Sequence, residues 1–210
     1  MSGETQGLGS VLKGLAELRA RADDAFARVA AQYPREVACR PGCDDCCHAL
    51  FDLSPVEALD IARAFSGLPR RLRRQAARAG AKATAAFDRV AAEALAVQGE
   101  QRLRVLSRAR VACPLLHDGR CLLYAVRPLT CRLYGVPVAI EGVPRTCRLA
   151  RFKDGETYPT VDLGLVHTEL DELSRRACRL VPSLEPRRLD LGRVLGLAEE
   201  LAAELKARLA

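Results

Sequence analysis

Apolar residues recur at steps of three and four along most of this chain, with polar residues between them. Leu12, Leu15, Leu18, Ala22, Phe26 and Val29 form the first series. It predicts an amphipathic helix, ended at Tyr33-Pro34 because the residue before a proline avoids helical backbone. The stretch "SPVE", Ser54 to Glu57, reads as a helix start: Ser54 can cap, Pro55 suits the first turn and Glu57 completes a capping box. That helix is expected to run to about Phe65 and stop near Gly67-Leu68-Pro69. A longer stripe, from Leu72 and Ala76 through Ala83 and Phe87 to Ala94 and Val97, predicts a long helix from about Pro69. Gly99 is expected to break it, with a shorter helix continuing to about Arg110. Two further series, Val166 to Leu180 and Leu191 to Leu205, predict helices that close the chain.

The periodicity fails in two places. One is the stretch from Cys39 to His48. The other runs from Cys113 to about Pro159, where Pro114, Gly119, Pro128, Gly135, Pro137, Gly142, Pro144 and Gly155 punctuate the chain. The expected fold is therefore mainly α: a helical bundle scaffold carrying two irregular cysteine-rich metal-binding loops. It reads as a single domain, 1–210, with an N-terminal helix in 1–38, a cysteine-cluster region with inserted helices in 39–160 and C-terminal helices in 161–210. A chain of 210 residues can bury its own core, so cysteine is not needed as a staple.

Composition sharpens this picture. Aromatics are scarce, Trp is absent, and Ala, Leu and Arg are abundant, which favours helix over sheet. Charges interrupt every apolar run, so no membrane span is expected. The N-terminus "MSGETQGLGSVLKGL" lacks a basic segment followed by an apolar one, which argues against a signal peptide. We read the protein as cytoplasmic. In that compartment thiols stay reduced, and clustered cysteines more often bind metal or do redox work. The odd total of nine cysteines also argues against complete internal pairing.

Four of the nine fall within "CRPGCDDCC": Cys39, Cys43, Cys46 and Cys47. Four more, Cys113, Cys121, Cys131 and Cys147, lie in the second irregular stretch. Zinc and iron–sulfur clusters both favour four thiolate ligands, so these cysteines could supply two sites or one multinuclear site. Pro41-Gly42 bends the first loop so that Cys39 and Cys43 can converge. Asp118-Gly119 is a strong reverse-turn signal that folds Cys121 back toward Cys113. Adjacent Cys46 and Cys47 are harder to place on one tetrahedral ion, because consecutive side chains diverge. Buried, inert cysteines pack as small hydrophobes; that reading suits Cys178, which flanks the Ala177 stripe of a helical pattern with no cysteine near it in sequence, better than four cysteines beside Arg40, Asp44, Asp45 and His48. Cys39-x3-Cys43-x2-Cys46 also matches the spacing of radical-SAM enzymes. A helical segment precedes it and no series of strands follows, so the barrel that chemistry needs is missing.

Three blocks carry a family resemblance: "CRPGCDDCC", "LSPVEALDIA" and "CPLLHDGRCLLYAVRPLTCRLYG", with Cys147 beyond. Together they resemble the YkgJ-like cysteine-cluster family, zinc- or iron-chelating proteins named for a CxxCxxCC motif and including the flagellin lysine N-methylases. The resemblance implies metal binding by eight characteristic cysteines, which fall on Cys39, Cys43, Cys46, Cys47, Cys113, Cys121, Cys131 and Cys147. The first gap here holds three residues rather than two. Methylase activity does not transfer, because the chain has no Gly-rich nucleotide loop or other recognisable SAM pocket.

The expected cofactor is an iron–sulfur cluster or zinc; thiolates suit both, and eight thiolates with two adjacent lean toward iron–sulfur for at least one site. Arg127 and Arg132 are expected around the thiolates, neutralising their charge and donating to sulfur, with His48 beside them. Tyr124 and Tyr134 could pack over the site. No catalytic residue is assigned. Two other functions fit the same residues: a redox or methyl-transfer enzyme using the cluster, and a zinc-stabilised binding module. For the latter, Arg63, Arg70, Arg71, Arg73, Arg74, Arg78 and Lys82, with no acid between them, offer a surface for an acidic protein or nucleic acid. A solvated helix face explains the run more simply, since no aromatic interleaves the charges for base stacking.

Overall fold

A computed structural model describes residues 7–140 and 142–209 of the chain. The first six residues, which begin the stretch considered for a signal peptide, lie outside these, as does Ala210. The described fold is mainly helical. Its long helices are α1 (Leu8–Gln32), α2 (Pro55–Ser66), α3 (Arg70–Leu95), α4 (Gly99–Arg108), α6 (Leu163–Leu180) and α7 (Leu191–Leu209), with a short α5 (Leu129–Leu133) between α4 and α6. No helix among the described residues is long and apolar enough to cross a membrane.

The central element is α2. Val56, Ala58, Leu59, Ile61, Ala62 and Phe65 are all buried, so the helix is apolar nearly all round, as a core helix is. It packs against α7, α6 and α1. The capping box forms: one Glu57 carboxylate oxygen accepts from the Ser54 N–H and hydroxyl. The other accepts from the Leu129 N–H at 2.9 Å, so the same buried side chain starts α2 and fixes the head of α5. Further along α2, Asp60 is buried against Arg19 of α1 at 2.5 Å, and Arg63 donates to its second oxygen at 2.7 Å. Arg19 also donates to the Val126 carbonyl at 3.1 Å, tying this ion pair to the segment between Cys121 and Cys131.

Short strands clip the helices together. β1 (Asp52–Leu53) pairs antiparallel with β7 (Leu189–Asp190), Asp52 opposite Asp190. Since α2 and α7 start directly after these strands, the clip aligns the two helices that share the core. The break between α3 and α4 falls at 96–98, and Gly99 opens α4 with φ of 56°. Gly99 is the hinge rather than the stop, because its missing Cβ lets the chain enter the left-handed region and start a helix that packs back on α3.

The stretches expected to be irregular hold short regular pieces. β2 (Leu116–His117) and β3 (Arg120–Cys121) form a hairpin. Asp118 at φ 48° and Gly119 at φ 71° occupy its turn, the positive pair that two-residue hairpins demand. β4 (Val138–Ile140) pairs antiparallel with β5 (Val143–Arg145) and parallel with β6 (Val161–Asp162). Elements of two or three residues leave no periodicity to read.

Candidate metal centre

The first cysteine stretch is shaped by its own turns. Cys43 N–H donates to the Arg40 carbonyl at 2.9 Å, and Gly42 has φ of 88°; proline then positive-φ glycine at the two central positions makes a type II turn. Asp45–His48 forms one 3₁₀ turn. About three residues per turn sets neighbouring side chains roughly 120° apart, yet the Cys46 and Cys47 thiols still meet in a hydrogen bond. The stretch is then paired to the second one. Cys113 N–H donates to the Cys47 carbonyl at 2.7 Å and Val111 N–H to the His48 carbonyl at 3.0 Å. Ala49 bridges Arg110 in antiparallel fashion. Backbone pairing thus sets Cys47 beside Cys113.

A second junction forms at Gly135, just beyond α5. A Cβ built there would overlap the Cys39 sulfur and would lie 3.2 Å from the Phe26 ring. The bare glycine lets Cys39 settle between α1 and the segment after α5.

Asp45 makes the third junction. It is 3 % exposed. One oxygen accepts from Arg110 at 2.6 Å and from Arg148 Nε at 2.8 Å; the other accepts from the Cys147 thiol at 3.4 Å. Burial pushes this carboxyl up, but hydrogen bonds from Arg148 and Cys147 and the charges of Arg110 and Arg148 outweigh it and hold it below the ordinary value. The Leu149 N–H points at the Cys147 sulfur at 3.3 Å, an arrangement that stabilises negative charge on sulfur. The Tyr33, Phe152 and Tyr158 rings pack edge to face, and Arg151 N–H bonds the Glu36 carbonyl. These contacts pin the segment after Cys147 to the end of α1.

The thiols influence one another. Burial, then the neighbouring Cys43, Cys147 and Cys46, push Cys39 up to about 11. Hydrogen bonding to Cys113 pushes Cys47 up to about 12 against the lowering effect of its hydrogen bond to Cys46, with burial and the charges of Cys113 and Cys121 adding to the rise. Cys46 is driven up by its hydrogen bond to Cys47 and by burial. Burial raises Cys131 well above the ordinary range, helped by Cys46, Cys47 and Cys121. Burial also raises Cys121, with Cys46 adding to it. Cys39 thus lies near Cys43, Cys147 and Cys46, while Cys47 lies near Cys113 and Cys121, and Cys131 near Cys47 and Cys121; Cys46 reaches both groups. Each group draws on both cysteine stretches. Among the described residues, no three Cys, His, Asp or Glu side chains are drawn close enough around one point to hold an ion.

Arg127 donates to Asp23 at 3.3 Å and stacks 4.0 Å over the exposed Tyr124 ring, yet its charge still lowers Cys39, Cys46 and Cys121. Arg132 is buried and spent on structure: it bonds Asp23 and the carbonyls of Arg127 and Ala125. The His48 ring lies 3.2 Å from the Asp44 carbonyl. Tyr134 meets Arg110 through its hydroxyl at 3.4 Å. Cys178 sits apart on α6, half-buried against the core. Sequence reasoning missed the roles of Asp45, Gly135, Arg110 and Arg148. Their partners lie far off in the chain, and no local pattern marks them.

No curated protein and no solved structure matches the chain. Residues 38–158 match the CxxCxxCC family model, described as "Putative zinc- or iron-chelating domain", and the chain belongs to that family.

Proposed function

We propose that this protein binds zinc or an iron–sulfur cluster through eight cysteines arranged as two four-sulfur sets, each built from both cysteine stretches. One set is Cys39, Cys43, Cys46 and Cys147; the other is Cys47, Cys113, Cys121 and Cys131. The pairing of Cys113 N–H with the Cys47 carbonyl carries this reading, because it seats Cys47 beside the second stretch. Family membership supports the metal. So does the chemistry of the donors: four thiolates suit either zinc or a cluster, and the thiols raise one another's pKa with only the Arg127 charge to offset them. An ion displaces their protons and supplies further positive charge. Closing either set requires the cysteine side chains to draw in from their described positions. Adjacent thiols at Cys46 and Cys47 favour iron–sulfur in at least one set. The chain's own contribution is to seat Cys39 at Gly135, to aim the Leu149 N–H at the Cys147 sulfur and to place Arg127 near the accumulating negative charge.

Cys→Ser variants, single and paired, test the division by metal-to-protein ratio. Each single variant, and the pairs Cys39→Ser with Cys147→Ser and Cys47→Ser with Cys113→Ser, are expected to lose the metal of one set, whereas Cys39→Ser with Cys47→Ser should lose both. If Cys39→Ser with Cys47→Ser loses no more than either alone, the cross-stretch division is wrong. If metal content is unchanged in all four single variants, the proposal fails altogether.

A further inference from the structure

Residues 70–108, which are α3, α4 and their hinge, hold ten Arg and Lys against three acids, a net of +7. The whole chain holds 33 basic and 26 acidic residues, also a net of +7, so everything outside this arm is neutral. Nine of the ten are arginine.

The fold sorts these charges onto one line. Ala76, Gly80 and Ala94 are the buried residues of α3. At 3.6 residues per turn, Arg71, Arg74, Arg78, Lys82 and Arg89 fall on the opposite side. All five are exposed, and none forms an ion pair among the described residues. Arg71 to Arg89 spans about 27 Å at 1.5 Å per residue, and Glu93 closes the far end. The helix is rigidly mounted. Gly192 of α7 lies so close to Gly80 and Thr84 that a Cβ would overlap both. Thr84 donates to Asp190 at 2.6 Å, and Arg193 of α7 donates to both Asp88 oxygens at 2.9 Å.

We propose that this line is a docking surface for a nucleic-acid duplex, held through its phosphates without base readout. A solvated face would account for scattered charge. It does not account for five unpaired cations standing on one ridge of a firmly mounted helix, in an arm that carries the chain's whole net charge. Guanidinium matches phosphate oxygens in planar, two-pronged fashion. A protein partner would want a desolvated apolar or aromatic anchor, and the ridge has none; the exposed Leu95 falls off the line. A membrane would want an apolar face to insert, and that of α3 is spent on α7. A single strand would want stacking aromatics, which the ridge also lacks.

The test is fluorescence-anisotropy titration of the metal-containing protein with DNA and RNA duplexes of about 20 base pairs, against a single strand, anionic vesicles and polyglutamate. Duplex binding should be independent of sequence, in the range of about 10⁻⁴ to 10⁻⁶ M at physiological salt. Its logarithm should fall with log salt at a slope near −4, about −0.9 per neutralised phosphate. The triple variant Arg71→Glu, Arg78→Glu, Lys82→Glu should bind at least about tenfold more weakly at low salt, with helix and metal content unchanged. The corresponding triple Gln variant should move the same way and serves if charge reversal disturbs folding. Failure to bind duplex at low salt, duplex binding unaffected by both variants, or tighter binding to vesicles, polyglutamate or single strand would each overturn the proposal. DNA against RNA duplex affinity identifies the source of the phosphates.

Discussion

A methyl group at position 135 would occupy the space of the Cys39 sulfur. Gly135→Ala is therefore expected to displace Cys39 and strip metal from its set, at an overpacking cost of about 1–3 kcal/mol. Metal-to-protein ratio and urea unfolding of the variant check both parts; full metal retention would show that Cys39 does not need this seat. The Arg19–Asp60 pair makes a second prediction, at a distance from the thiols. Burial pushes the Asp60 carboxyl up, but the bonds and charges of Arg19 and Arg63 outweigh it and hold it below its ordinary value of 3.8. A depressed carboxylate contributes stability above its unfolded pKa, and that contribution is lost as pH falls through the folded one. The protein should therefore lose stability below about pH 4. Asp60→Asn should flatten that acid limb and cost about 3–5 kcal/mol at neutral pH, because Arg19 stays buried without its partner. Denaturant midpoints between neutral pH and about pH 3 read both effects. Arg19 and Asp60 are ordinary surface types in the sequence, 41 positions apart, and nothing local announces that they meet. The cysteines are the opposite case: four in nine positions have no other easy explanation.

At the scale of elements, the helices were the legible part. Steps of three and four predicted α1, α3, α6 and α7, and Ser54-Pro55 with Glu57 marked the start of α2. The two turns carrying Pro41-Gly42 and Asp118-Gly119 were readable because positive φ needs glycine or a residue such as Asp or Asn. What escaped was the sheet content and α5, since two to five residues hold too few positions for a period to show. Also hidden was the docking of α3 on α7, which depends on two glycines 112 positions apart meeting backbone to backbone. Gly192→Ala should push α3 away and destabilise the protein by about 1–3 kcal/mol, with faster amide exchange in α3 than in α2 by hydrogen–deuterium exchange mass spectrometry. Equal protection in variant and wild type would mean that the contact is slack.

For the whole molecule, two kinds of stability meet. The core around α2 is apolar and takes in Leu115, Leu123, Leu129, Leu133 and Val136 from the segment between Cys113 and Cys147. The loops that carry the sulfurs around those anchors rest on short pairings and on their cysteines. A chelator should therefore loosen the cysteine region, seen as faster exchange at 39–48 and 113–147, while the far-ultraviolet helix signal largely remains. Collapse of the helices on metal removal would instead make the metal part of the global fold. The most direct measurement is anaerobic purification followed by elemental analysis and an absorption spectrum. The account predicts stoichiometric metal: zinc with no colour, or iron with sulfide and visible thiolate-to-iron absorption. A protein that holds neither, even after reconstitution with zinc or with iron and sulfide, would contradict it.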